Sequence, residues 1–492
     1  MARMLPIVSR PNRRIVETAQ STISRRQQLA IFGGVALVAI MLLLNLTGTL
    51  VLAVGVITAL YLVNCLIRMA FAGLSLQRNA MELTEDEIDD ARENAPMFTA
   101  MIPIRREGLP ILQRLAATLQ QLDYPQDKLQ ILLLLDDDEE ETINNAMLAM
   151  PENVTVLAID AVAPRTKPRV LNDGLRYATG EYVVVWDVED APEPAQLLKA
   201  VAAFRRTAET DPDVVCLQAQ LAFDPTLVEK PNALTRWQAA AYNFHFRLLL
   251  PALDRLGLPV PLGGTSNFFK TEAIRELGGW DAWNVTEDLD LGIRIARHGW
   301  KVRMIDSTTW EEPNPLLGNC VRQWSRWKKG AMQTYLVHMR HPRQLWNDLG
   351  PGRFLSFQFT VGAPPLILLL NPILIFMSFM YWVVGAEWVS TLFPTLVLYA
   401  GNFCLVAGNL FFVFAIATAS LHRRQFGLVP AALFSIFHWV LMIVAAYKAF
   451  WQLITKRSHH WEVTQHGHAA TILTSTSGFG TASNEIGHSK AA

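Results

Sequence analysis

GGTSNFFKTEAIRELGG (residues 263–279), WNVTEDLDLGIRIARHGW (283–300) and VRQWSRWKKGAMQ (321–333) form the stretch on which the reading of this chain turns. The middle segment places an acidic triplet, Thr286-Glu287-Asp288, directly before a run with helical spacing, LDLGIRIA. The last segment spaces Gln323, Arg326 and Trp327 three and four residues apart, which puts them on one helix face. Upstream of it, beyond an N-terminal apolar pair of segments, the chain alternates strands and helices. Downstream it turns apolar.

Short apolar runs predict strands at Phe98–Ile104, Leu129–Leu135, Val154–Ile159, Glu181–Trp186 and Asp213–Leu221. Helical spacing falls between them, at Leu109–Leu122, Val170–Tyr177 and Ala195–Thr207, and Ala233–Leu250 reads as a long aromatic helix. This alternation predicts a parallel sheet covered on both faces. Ligands of such sheets sit beyond the carboxyl ends of the strands. Two predicted strands run into acids there: LQILLLL into Asp136, Asp137 and Asp138, and EYVVVW into Asp187-Val188-Glu189-Asp190.

The two ends of the chain read differently. Leu29–Ile67 carries no charge and is broken at NLTGT (45–49), and a span needs about 20 apolar residues, so the segment predicts two membrane helices. The basic residues before it (1–28) and Arg68 after it place both ends on the cytosolic side. Gly362–Val384, Val389–Ala419 and Leu428–Leu453 are further apolar runs. Because both flanks of the last are basic, a re-entrant or interfacial hairpin is expected there, with a plain fifth crossing as the alternative. The Ser/Thr/Gly-rich residues 468–492 are expected to be disordered. A formal net charge of -1 gives no global basic field for a nucleic acid, and the four cysteines have neither metal nor disulfide spacing.

Each chemical motif admits two readings. Asp187 and Glu189, two residues apart on a turn, can hold one hard cation such as Mg²⁺ or Mn²⁺ beside phosphates; the rival is a solvated helix cap. Lys167, between the two acidic turns, can neutralise a diphosphate or be a surface lysine. Asp288 is a candidate general base, and Thr286 with its acids is also a complete N-cap. Arg326 can clamp a diphosphate and Trp327 can stack on a sugar; the rival is a basic amphipathic helix on the membrane surface.

In this order the motifs resemble those of the processive, membrane-integrated members of glycosyltransferase family 2, the cellulose synthase and hyaluronan synthase relatives. The resemblance covers about Leu29 to Gly467. It implies a cytosolic GT-A domain (70–335), Rossmann-like and set between a transmembrane hairpin (29–69) and an interfacial helix with channel-forming helices (336–455). Within that domain, Pro103 and Glu107 match the first-strand motif near the nucleoside, although Ile104-Arg105-Arg106 departs from the usual sequence there. Asp136 and Asp138 match the nucleoside-binding acids, and Lys167 the diphosphate contact. The metal motif falls on Asp187 and Glu189, with Asp190 as an alternative second ligand. Gly264, Thr265 and Asn267 match the acceptor-side loop. Asp288 matches the base, with Glu287 and Thr286 completing its motif. Gln323, Arg326 and Trp327 match the group holding the acceptor terminus and diphosphate. Trp461 and Thr464, in WEVTQ, are similar to a gating loop (456–467); the rival there is a tryptophan anchoring the chain at the membrane interface.

The implied activity is inverting, processive transfer from a UDP-sugar, UDP-glucose first, to a growing β-glycan, with Mg²⁺ or Mn²⁺ and export across the plasma membrane. Non-processive loading of a lipid carrier is the alternative. The expected partners are the sugar donor, the polysaccharide acceptor and the bilayer, with no nucleic acid. A homo-oligomer or an accessory export subunit stays open.

Overall fold

The computed structural model describes residues 17–75, 80–385 and 387–455. Trp461, Thr464, the rest of the gating-loop-like segment and the tail called disordered lie outside the described residues, as does most of the basic N-terminal stretch.

Among the described residues the strands form one eight-stranded sheet: β1 Phe98–Pro103, β2 Leu129–Asp136, β3 Val154–Ile159, β4 Tyr182–Val185, β5 Ala191–Pro192, β6 Val214–Phe223, β7 Asn267–Lys270 and β8 Lys301–Glu311, in the order β3-β2-β1-β4-β7-β6-β8-β5. The first four are mutually parallel, as expected. The expectation fails at β7, which runs antiparallel to both β4 and β6. The sheet is therefore mixed. The reversal delivers Gly263–Ser266, the residues just before β7, to the carboxyl end of β4.

Runs such as LQILLLLD form strands because a covered sheet buries both side-chain faces, so the alternation of an exposed strand is missing. Successive residues still point to opposite sides. Met101, Leu132, Leu134, Val183 and Val185 enter one core, while Phe98, Ala100, Ile102, Ile131 and Val184 enter the other. The first core is shared with the apolar helices, for it also contains Phe71, Ala72, Ile416 and Ala419.

Among the described residues five helices are long and apolar enough to cross a membrane: Ala19–Leu44, Leu46–Leu74, Pro342–Trp382, Thr395–His422 and Ser435–Ile454. The expected hairpin is present, with its break at Asn45. The segment expected to re-enter divides into a short helix, Val429–Leu433, and the 20-residue Ser435–Ile454. The latter packs along Leu317–His338, the helix carrying Gln323, Arg326 and Trp327. That helix buries Asn319, Trp324, Ser325, Lys329 and Gln333 against the rest of the protein.

Candidate active site

The turn after β4 is built by Asp190. Its Oδ2 accepts the Asp187 N–H at 2.8 Å and the hydroxyl of Thr265. Burial, then the neighbouring Asp187 and Glu189, pushes the Asp190 carboxyl well above the usual carboxylate range. Its bonds hold the turn and tie it to the loop before β7, leaving Asp187 and Glu189 to line the cavity. Gln218 on β6 fixes that loop from behind: its Oε1 accepts from the Gly263 N–H at 2.9 Å and from Asn267 Nδ2, and its Nε2 donates to Thr265 O at 3.1 Å. Ser266 adopts a left-handed conformation (φ 52°), unusual for a residue with a Cβ. It is held there by its N–H to Val185 O at 2.7 Å and by its hydroxyl contact with Thr309 at 2.6 Å.

Lys167, the first residue of the helix Lys167–Gly174, joins this turn to the acidic triplet. Its Nζ pairs with Asp187 and donates to Gly264 O at 2.8 Å. Burial opposes its charge, but Asp187, Glu287 and Asp288 outweigh burial and raise its pKa. Burial likewise pushes Asp288 up to about 6, against the Leu289 N–H, Lys167 and Arg326, which lower it. Burial and the adjacent Asp288 push Glu287 up to about 7. Asp288 thus titrates near neutrality, where a carboxylate is both ionised and basic enough to take a proton.

The N-cap reading of Thr286 is not realised, since its side chain makes no capping bond to the helix Glu287–Arg297. It packs instead against Gly330, where a β-carbon would run into Thr286 Oγ1. This close approach sets the acidic triplet against the Leu317–His338 helix. Replacing Gly330 by Val is expected to destabilise the chain by about 1–3 kcal/mol and to reduce turnover, because either the triplet or the helix must shift. Thermal denaturation and a turnover assay on the same sample check it.

Arg326 faces the fields of Glu287, Asp187, Asp288 and Glu189 from the other wall. Trp327 stands parallel to Tyr242, ring centroids 6.2 Å apart and planes at 11°, and Tyr242 stacks on Phe223 at 4.2 Å. Gln323 is buried on the same wall. One cavity of about 630 Å³ connects these groups. It runs from Pro103 and Glu107 past Lys167, Asp187 and Asp288 to Trp327, and on between the apolar helices to Phe412 and Met442.

The cavity brings together Pro103, Glu107, Asp136, Lys167, Asp187, Glu189, Gly264, Thr265, Thr286, Glu287, Asp288, Gln323, Arg326 and Trp327. Asp138 lies outside the lining, exposed and paired with Arg165 at 2.7 Å. Asn267 and Asp190 are buried beside it in supporting roles. Asp136 is ion-paired with Arg169, which the sequence reading did not single out. Gln218, Tyr242 and the cavity-lining Glu311, whose Oε1 accepts from the Tyr242 hydroxyl at 3.4 Å, were also missed: nothing in one dimension distinguishes Tyr242 within an aromatic helix. Two hard oxygen donors, Asp187 and Glu189, suit Mg²⁺ or Mn²⁺ completed by donor phosphates and water. The described residues assemble no group of three or more metal-binding side chains, so the protein would supply only part of the coordination.

Comparison with known proteins shows what this region is similar to. Residues 95–330 match the family model described as glycosyltransferase like family 2. Residues 95–330 are thus similar to a glycosyltransferase domain. The chain's GT-A fold superposes on PcManGT, a mannosyltransferase from Pyrobaculum calidifontis in complex with GDP-Man and Mn²⁺, with a TM-score of 0.50, 19% identity, and coverage of 81% of this chain and 99% of that one. Among curated relatives, a probable glucomannan 4-beta-mannosyltransferase of Oryza sativa is 30% identical over 156 residues, 32% of this chain and 26% of its own length. A beta-monoglucosyldiacylglycerol synthase of Synechocystis sp. is 27% identical over 287 residues, 56% of this chain and 57% of its own. The chain thus spans between about a quarter and about three fifths of the relatives it matches.

Proposed function

We propose that the chain moves a hexosyl group from a nucleoside diphosphate sugar, with inversion, to an acceptor hydroxyl reaching the cavity from the membrane side. The observation that carries this is the placement of Asp288: a near-neutral carboxylate between the Lys167–Asp187 pair and Arg326, in a cavity continuous with the apolar helices. Asp288 takes the proton of the acceptor hydroxyl as that oxygen attacks the anomeric carbon. Lys167 and Arg326 stabilise the negative charge that accumulates on the departing diphosphate. Asp187 and Glu189 would hold Mg²⁺ or Mn²⁺, which would neutralise the same diphosphate when bound. Trp327, braced by Tyr242, offers an aromatic face to the acceptor sugar.

The resemblance to cellulose and hyaluronan synthases favours UDP-glucose as donor, processive growth of a β-glycan and its export, with the catalytic domain on the cytosolic face of the plasma membrane. A second reading, transfer to a lipid-borne acceptor, is favoured by two cations at the membrane end of the cavity, Arg68 and Lys328. The relatives' names include both glycan- and glycolipid-forming enzymes. The test is nucleotide release by the purified chain with Mg²⁺ or Mn²⁺ and one UDP- or GDP-sugar at a time, with product size followed alongside. Long polymer from one donor is the expected result of the first reading; single-sugar products select the second. No release with any donor sinks both.

A further inference from the structure

Arg68 lies on Leu46–Ser75, within two turns of the end of that candidate span. Its Nε donates to Asn64 Oδ1 at 3.3 Å, and its guanidinium lies 5.7 Å from the Phe412 ring centroid. Neither contact neutralises the charge, and among the described residues no carboxylate pairs with it. Lys328 faces the same cavity from the Leu317–His338 helix, one residue beyond Trp327, and it too has no acidic partner among the described residues. Burial, then the field of Arg68, pushes the Lys328 amine down to about 8. His245 lines the same end, and burial followed by these two cations pushes it down to about 3, so it stays neutral. Lys167 and Arg326 face Asp187, Glu189, Glu287 and Asp288 instead.

A charged side chain in a membrane segment is unfavourable unless it meets a partner or water, and such residues mark ligand paths. Two like charges facing one cavity from two helices repel each other, and an anion held between them would remove that repulsion. Arg68 lies near the end of its candidate span, where a lipid headgroup would sit. The apolar helices contribute Ile367, Leu368, Ile416 and Met442 to the same lining. An anionic head with an apolar tail fits both halves.

We propose that Arg68 and Lys328 bind the phosphate of a membrane lipid that carries the acceptor, holding its hydroxyl toward Trp327 and Asp288. The proposal rests on the transferase reading for the word acceptor, but the binding site stands apart from it.

The full chain in detergent is incubated with radiolabelled farnesyl phosphate, and retention is measured with farnesol or inorganic phosphate as competitor. Saturable binding that neither competitor displaces is expected. Arg68→Gln and Lys328→Gln should each weaken it by about tenfold or more, the loss of one charge-assisted contact, while Arg68→Lys retains most of it. Nucleotide binding, measured in the same samples, should not change; lipid binding without nucleotide binding would sink the transferase reading and leave this one standing. Wild-type affinity in both Gln variants, or displacement by an equal concentration of farnesol or inorganic phosphate, would overturn it. If Arg68→Gln does not fold, Lys328→Gln and Arg68→Lys carry the test.

Discussion

Asp288→Asn is expected to lower the turnover of sugar transfer by about a hundred- to ten-thousand-fold, the range for loss of a general base. Nucleotide affinity should stay unchanged, because Asn keeps the volume and the hydrogen-bonding reach while losing only the ability to take a proton. The pH profile gives a second readout. Burial holds the Asp288 carboxyl at about 6, so the base is ionised above that pH and protonated below it. Turnover of the wild-type chain should therefore fall as pH drops through about 6, and the residual rate of the variant should lose this acid limb. Glu287, pushed up by burial and by Asp288 itself, titrates in the same window, so the limb belongs to the pair. Loss of nucleotide binding in Asp288→Asn would show that the carboxylate serves the donor and not the acceptor.

The second large effect is expected at Asp187. Removing it leaves Glu189 as the cavity-lining carboxylate of the turn and also frees Lys167 from its ion pair. Chelation with EDTA should stop transfer by the wild-type chain, and added Mn²⁺ should restore it. In Asp187→Ala, Mn²⁺ should fail to restore it, with turnover down by about a hundred-fold or more if the metal supplies several kcal/mol of charge stabilisation. Asp190→Asn gives the contrast. Its carboxylate serves the Asp187 N–H and the Thr265 hydroxyl, so the loss should appear in thermal stability before it appears in metal affinity. Turnover that resists EDTA, with Asp187→Ala as active as wild type, would remove the metal from this site.

The local motifs and element types were legible in the sequence because they rest on short-range rules. Continuous apolar runs form strands when both faces are covered, and charge-free runs of about 20 residues form membrane-length helices. Acids at strand ends and residues three and four apart on a helix keep their relations in any fold that preserves those elements. Each such group admitted two readings by itself, and it was the resemblance carried by their order that named Asp187, Asp288, Arg326 and Trp327 together. Other features are set by contacts between residues far apart in the chain. The antiparallel β7 is not visible in its own four residues; it follows from pairing with β4 and β6. The role of Asp190 depends on Thr265, 75 residues away, and the need for glycine at 330 depends on Thr286. Arg68 in one dimension marks only which end of a helix faces the cytosol. Packing against Phe412 and exposure to the cavity that Lys328 lines turn it into half of an anion site. The sequence by itself determined the first four parallel strands, β6, most of the helices and the chemical groups. The tertiary structure decided which of those groups share one cavity, because burial and charge act through space and not along the chain.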